Sequence, residues 1–594
     1  MTQGGNMTQV LFRKVDYSLS KLIEDIELGE IGLPDIQRPF VWSDTKVRDL
    51  FDSMYRGYPI GYLLFWENGL PGEHRVIGTN RKQKAPRLLI VDGQQRLTSL
   101  YAVVKGTPVV GKDYRKHPIR IAFHPKERKF EVSNSAILRD PEWIPDISRL
   151  WDDNTSRNKF VRAFVERLRQ TRDVSDKEED EIAEAIERLY DLKNYPFTVL
   201  ELSSTVPEEQ VAEVFVRINS KGTPLNQADF ILTLMSVFWD EGRAELEEFC
   251  RQAKQPSADN RPFPYNHFIQ PDPDQLLRVS VALGFRRARL EYVYSLLRGK
   301  DLQTGEFSEE QRDRQFATLR EAQSKTLDLQ NWHEFFKVLI RAGYRSNAYI
   351  SSQNAVLYTY ALWLIGKHDF HVDLFRLRDV IARWFFMVSL TGRYSGSPES
   401  RMEQDLALLR GLGTAEQFVS TLDKEIDAVL TKDYWEITLP NELATASARS
   451  TGLFAYYAAL CLLDAQVLYS KLKVAELLDP TTRAKKAPIE RHHLFPRKYL
   501  QRIGITERRD INQVANYALV EWSDNIVMAD QSPAVYSTQF ESRFSTEELE
   551  RMYFWHALPE RWYEMGYDQF LEERRKRMAQ VIRQGFEKLK REGA

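Results

Sequence analysis

The sequence predicts an α+β protein of several domains, and three observations carry that prediction. At 594 residues the chain is too long for one hydrophobic core. Strand-like and helical stretches alternate over residues 10–240, whereas nearly every segment from 230 to 475 has helical period. Beyond 480 the pattern changes again, with short strand-like runs and a closing amphipathic helix. A mixed first part at 10–240 is therefore expected, followed by a mainly α-helical part.

Composition narrows the class. Hydrophobic residues make up 43% and charged residues 28%, ordinary for a globular chain with a large core. The net charge of −2 supplies no global attraction for nucleic acid, so any such binding must use local basic patches. Two distant cysteines, Cys250 and Cys461, exclude a four-cysteine zinc site and a disulfide scaffold. The first residues lack the pattern of a signal peptide, and no apolar run approaches the roughly 20 residues of a membrane span. A cytoplasmic protein without membrane contact is expected.

The elements follow in order. Ser43 reads as an N-cap, followed by Val47, Leu50, Phe51 and Met54 at helical spacing. RLLIV at 87–91 reads as a buried strand that runs into DGQQ and then a helix. IRIAFH and KFEVS, separated by PKER, read as a hairpin. A charged helical stretch at 157–193, the strand PFTVLEL and the helix PEEQVAEVFVRI complete the first part. PTTRAKKAP at 480–488 is a basic connection into the last part.

In LLIVDGQQRLTSL an apolar strand stops at Asp92 and a helix starts near Gln95. A helix start offers unpaired N–H groups and a favourable dipole to an anion. Gly93 would allow close approach of a phosphate, Arg96 could bind it, and Asp92 could hold a metal or place a water. A tight turn with a polar surface accounts for the same residues. GTPVVGKD at 106–113 imitates a phosphate loop, but it follows a helix and has Asp113 where a hydroxyl is needed, so it reads as a loop. Gln37 and Arg38 sit between prolines in PDIQRPFVW, and FVRINSKGTPLNQADF carries Arg217, Asn219 and Lys221 at a helix end. Each cluster alone is compatible with cap and turn chemistry.

The stretch IERHHLFPRKYL places His492 and His493 side by side ahead of Pro496. Histidine suits a base that deprotonates water, because its pKa of about 6.5 lies near neutral. Neighbours on a plain strand point to opposite faces, so convergence on one phosphate would need a distorted hairpin or a strand end. Asn516 and Asn525 follow, and Asn525 could serve as a hard metal ligand or an N-cap. A polar hairpin explains the pair as well.

Taken in series, PDIQRPFVW, GYPIGYLLFW, VDGQQRLTSL and FVRINSKGTPLNQADFILT resemble the N-terminal domain of GmrSD-type restriction systems. That resemblance implies a ParB/sulfiredoxin-like α/β fold, with Asp92, Gly93, Gln94, Gln95 and Arg96 in a nucleotide-handling motif. It also implies that Gln37, Arg38, Arg217, Asn219 and Lys221 handle nucleotide or sense DNA. ERHHLFP, VANYALV and the Asp-Asn before IVM resemble the C-terminal HNH nuclease module of the same systems, a ββα-metal fold, and the extent of that likeness implies a division into 10–240, 241–440 and 441–594. By that likeness His493 is the general base, His492 and Asn525 are metal ligands, and Asn516 orients the base or braces the loop. Many relatives carry an acidic residue where this chain has His492, which leaves the metal open: Mg2+, Mn2+ or another divalent ion.

Basic residues crowd the motif. Arg491, Arg497 and Lys498 are expected phosphate contacts, beside Arg483, Lys485, Lys486 and Arg502. Arg574, Arg575, Lys576 and Arg577 on the last helix could add to them, or form a solvated face. Trp555, Trp562, Tyr563, Tyr567 and Phe570 could stack on bases but read first as core. The resemblance implies a nucleoside triphosphate (GTP, ATP or another) and double-stranded DNA, modified phage DNA in particular, as partners, with a homodimer among the expected assemblies. It thus implies an NTP-dependent, modification-dependent endonuclease of bacterial defence. A phosphorothioate-sensing nickase and a non-catalytic DNA-binding regulator are the alternatives.

Overall fold

The computed structural model describes residues 11–32, 42–67, 74–75, 82–83, 87–110, 116–152, 156–203, 206, 214, 227–256, 262–300, 308–481 and 489–591. The chain divides into two compact units, residues 1–243 and 244–594. Both helices and small sheets are present, as an α+β chain requires.

The first unit is built on a five-stranded mixed sheet. Its elements are β1 (Phe12–Ser18), α1 (Leu19–Glu27), β2 (Ile31–Gly32), α2 (Asp44–Tyr55), β3 (Leu63–Glu67), β4 (Leu88–Asp92) and α3 (Gln94–Lys105). The hairpin β5 (Ile121–His124) and β6 (Lys129–Val132), helices α4 (Arg157–Arg169) and α5 (Asp176–Tyr190), and β7 (Pro196–Leu202) follow. The spatial order is β1-β7-β3-β4-β2. Sequence and structure agree on most of this. Ser43 caps α2 by accepting from the Lys46 N–H, and Val47, Leu50, Phe51 and Met54 are buried. The charged stretch at 157–193 splits into two helices, each with one buried stripe. β1 was not expected, because FRKVDYS is mostly exposed and lacks a clean alternation; it forms by pairing antiparallel with β7 along its whole length. The expected helix PEEQVAEVFVRI falls outside the described residues apart from Val206 upstream of it and Val214 within it.

The second unit is mainly helical. Its core comprises α6 (Pro273–Phe285), α7 (Glu309–Leu327), α8 (Leu329–Arg341), α9 (Gln353–His368), α10 (Leu374–Thr391), α11 (Ala415–Val429) and α12 (Thr451–Leu462). From Ala355 to Gly366 every residue of α9 is buried, so this helix is apolar all round, as a central helix must be. α10 packs against both α9 and α11. The same unit holds the two-stranded sheet of β8 (Ile489–His493) and β9 (Tyr517–Glu521), then α13 (Trp522–Met528) and the long α14 (Tyr567–Arg591). α14 lies tightly on α12: a Cβ on Gly585 would stand 2.7 Å from the Cβ of Ala459. Glycine is needed there to let two helix backbones meet.

One ion pair is sealed in this core. Arg393 donates to Asp405 through Nε at 3.0 Å and Nη2 at 2.5 Å, and to Glu425 at 2.6 Å. Tyr394 donates to the second oxygen of Asp405 at 2.7 Å, and the Asp405 side chain is 1% exposed. Removing one member of a buried pair strands the other charge, which costs far more than the intact pair contributes. Asp405→Ala is therefore expected to lower unfolding stability by about 3 kcal/mol. Urea denaturation of the variant beside wild type measures this, and a change under a few tenths would contradict it.

Candidate active site

β8 and β9 pair antiparallel with an unshifted register, His492 opposite Ala518 and His493 opposite Tyr517. The strand is thus regular where a distorted hairpin was one expectation, and the two imidazoles point to opposite faces. β8 ends at His493, and the chain turns through Leu494 and Phe495 to Pro496. Position along the strand now separates the two rings.

His492 is buried, 4% exposed, with its ring edge-on to Tyr536. Its Nδ1 lies 2.7 Å from Oδ1 of Asn525, which sits inside α13 and not at its N-cap. Burial pulls its pKa down to about 4, so the ring is neutral near pH 7. Nε2 is buried without a hydrogen-bond partner. With the amide oxygen as acceptor, Nδ1 carries the proton here, and a divalent ion could take that proton's place between nitrogen and oxygen once the ring shifts to its Nε2–H tautomer. Among the described residues no group of three His, Cys, Asp or Glu side chains could hold a metal. The pair fits a divalent ion that draws its remaining ligands from substrate and water, and two neutral donors fit a softer ion than Mg2+ at least as well.

His493 is half-buried, and its Nε2 lies 3.0 Å from Oδ1 of Asn512. With that amide oxygen as acceptor, Nε2 carries the proton and Nδ1 keeps its lone pair. Burial lowers the pKa of the ring, and the positive charge of Arg497 lowers it further. Arg497, Arg508, Ile511 and Asn512 line a small cavity of about 190 Å3 next to this ring. Asn512 and Arg508 were not singled out from sequence; an asparagine after a short helix carries no distinguishing signal there. Lys498 follows Arg497 in the short helix Arg497–Arg502 but pairs with Asp530 at 3.0 Å, and Arg491 stands two residues before His493 on the same face.

Asn516 does not touch either histidine. Fully buried, it accepts from the Phe495 N–H at 2.8 Å and donates to the carbonyls of Phe495 and Ile511 at 3.1 and 3.0 Å. It therefore holds the turn after His493 against the turn before β9. Arg574 reinforces that turn from α14. The expectation of a phosphate-binding arginine there is corrected: Arg574 is 0% exposed and donates to the carbonyl of Ala515 at 2.6 Å and to that of His556 at 3.1 and 3.2 Å. Trp562, Tyr567 and Phe570 are buried around Phe495, as core residues.

In the first unit β4 delivers Asp92, and Gly93 follows with φ +96°. A Cβ at Gly93 would stand 2.2 Å from the Leu63 side chain, so the turn needs glycine to pack on β3. Arg96 is committed to the protein: it donates to the carbonyls of Ile60 and Tyr62 at 2.7 and 2.8 Å and to Asp92 at 3.2 Å. Burial lowers its pKa, opposed by the charge of Asp92. Gln94 and Gln95 occupy the first turn of α3, half-buried. Gln37, Arg38, Arg217, Asn219 and Lys221 lie outside the described residues, as do Arg483, Lys485, Lys486 and the Gly111–Asp113 part of the phosphate-loop imitation.

The first unit thus carries a glycine-pinned strand-to-helix turn on its sheet, and the second a histidine-bearing ββα element. Residues 19–236 match the family described as GmrSD restriction endonuclease, N-terminal domain. Over a much longer span the chain is similar to the uncharacterized protein MJ0686 of Methanocaldococcus jannaschii, 24% identical over 552 residues, which cover 87% of this chain and 86% of that one. No helix among the described residues is long and apolar enough to cross a membrane.

A second buried histidine gives the unit a measurable pH response. His556 is fully buried; its Nε2 donates to the Gln466 carbonyl at 2.9 Å, and burial holds its pKa at about 4. The unfolded chain, with its histidine near 6.5, binds the extra proton first, so the stabilisation is whole above about pH 6.5 and is lost as pH falls toward 4. The loss from this group is on the order of 3 kcal/mol. Urea unfolding between pH 7 and about 4.5 is expected to show stability falling with acid, and less steeply in His556→Gln. Equal slopes in the two proteins would contradict the assignment.

Proposed function

We propose that the chain is a divalent-metal-dependent DNA endonuclease, with an HNH-type cutting centre in β8, β9 and α13 and a ParB/sulfiredoxin-like first unit that handles a nucleoside triphosphate. The observation that carries this is the division of roles between two adjacent neutral histidines at a strand end. His493 keeps an unprotonated Nδ1, and its partner Asn512 lines a cavity with two guanidiniums, while His492 meets Asn525 on the other face. A phosphate lying across the end of β8 would meet both.

There the residues divide the work. His493 takes the proton of a water whose oxygen attacks phosphorus, as the bond to the leaving ribose oxygen breaks. Asn512 fixes the ring and its tautomer. Arg497 and Arg508 counter the charge gathering on the phosphate oxygens. His492 Nδ1 and Asn525 Oδ1 would hold the metal ion, which when bound supplies Lewis-acid stabilisation of the phosphate and the leaving oxygen. Asn516 and Arg574 keep the turn after His493 in place.

The match of residues 19–236 to the GmrSD N-terminal domain supports restriction of modified phage DNA in bacterial defence as the biological setting. Nucleotide handling is assigned to Asp92, Gly93, Gln94, Gln95 and Arg96, with Arg96 positioning Asp92 and the flanking loop.

His493→Ala is expected to reduce nicking about 10²–10⁴-fold while DNA binding persists, and Asn525→Ala to raise the divalent-ion concentration needed. Plasmid digestion with unmodified, hydroxymethylated, glucosylated and phosphorothioated DNA in Mg2+ and Mn2+ provides the assay. If wild type cuts none of them, or His493→Ala cuts at the wild-type rate, the nuclease assignment fails. For the first unit, Asp92→Asn is expected to abolish phosphate release from GTP or ATP and any effect of nucleotide on nicking. Undiminished phosphate release would overturn that role.

A further inference from the structure

A second cavity opens two residues from the candidate base. It has a volume of about 400 Å3, within the roughly 300–1,000 Å3 range of small-molecule pockets. Arg449 and Arg491 stand exposed at it, and Tyr349, Phe454 and Tyr457 form an aromatic wall. Tyr349 lies edge-on to Phe454 at 6.2 Å and to Tyr457 at 5.9 Å. Arg491 reaches the Ala448 carbonyl at 3.3 Å and leans over the Tyr517 ring, which packs on His493. Neither guanidinium has a carboxylate partner among the described residues.

The floor is the independent sign of a ligand. Tyr457 is 3% exposed, and its hydroxyl is buried with no hydrogen-bond partner. A buried hydroxyl without a partner costs free energy, and such a cost persists where a bound molecule meets the group. Arg491 and His493 share one face of β8, about 7 Å apart along the strand, on the order of one nucleotide step. Cations at the mouth, rings on the wall and one unmet polar group at the floor match a phosphate, a base face and a base edge.

We propose that this cavity is a subsite for one nucleotide of the DNA strand, next to the phosphate that is cut. Arg449 and Arg491 hold its phosphate, the Tyr349–Phe454–Tyr457 wall takes its base, and the Tyr457 hydroxyl reads the polar edge. The assignment rests on the nuclease reading for the adjacency to a scissile phosphate; the binding it describes needs no cleavage.

The test uses the full chain and a short fluorescein-labelled DNA oligonucleotide, single- and double-stranded, titrated in chelator so that nothing is cut. Tyr457→Phe removes an oxygen that has no partner, so its melting temperature is expected to match wild type or exceed it. Its affinity for DNA is expected to fall about tenfold. Arg449→Gln is expected to weaken binding by about tenfold and to reduce the slope of log affinity against log salt by about one. In Mn2+ both variants are expected to raise KM more than they lower kcat. Wild-type affinity in both variants overturns the proposal. So does competition by free deoxynucleoside monophosphates in a pattern that tracks Tyr457 and Arg449 while DNA affinity stays unchanged, since the occupant is then a free nucleotide. A chain that binds DNA through these residues yet never cuts sinks the nuclease reading and leaves the subsite standing.

Discussion

The candidate site depends on a guanidinium that never meets solvent. Arg574 spans from α14 to two backbone carbonyls, those of Ala515 and His556, and among the described residues it has no carboxylate to neutralise it. A buried cation is tolerable only when its donors are used, and carbonyl dipoles here take the place of water. Ala515 precedes Asn516, whose side chain in turn ties Phe495 to Ile511. From Arg574 to the end of β8 the connection is thus a chain of hydrogen bonds. Gly585, pressed on Ala459, keeps α14 close enough to make it.

Electrostatics around the two histidines follows from burial more than from charge. His492 is neutral because it is desolvated, and His493 because desolvation and Arg497 act together. Neutral imidazole is the form that can bind a metal or accept a proton. The same low-dielectric setting that makes these rings useful makes the second unit acid-sensitive, since His556 shares it.

Much of this was legible in the sequence, and the omissions have physical causes. Periodicity and capping disclosed α2, β4, the β5–β6 hairpin and the helical body, because those elements bury one face or are apolar throughout. The pairing of His492 with Asn525 rested on motif order, which resemblance supplies and spacing does not. Arg574 was misplaced because a charged run suggests solvent; yet Phe570, Arg574 and Met578 recur every four residues on one buried stripe, and that register could have shown it. Asn512, Arg508, Arg449 and Tyr457 left no sequence trace, since their proximity comes only from tertiary packing. Arg96 was read as a ligand contact and spends its donors on the Ile60–Tyr62 loop, a partner that lies 34 to 36 residues away.

The buried Arg574 also sets an order in time. His493 and Asn525 leave the ribosome well before residue 574, and at roughly 5–20 residues per second the interval is several seconds. Until α14 arrives, the Val514–Asn516 turn lacks its clamp, and the strand end cannot take its final form. A nascent chain would therefore carry both histidines before the turn that follows them is clamped, and the clamp would come only with α14.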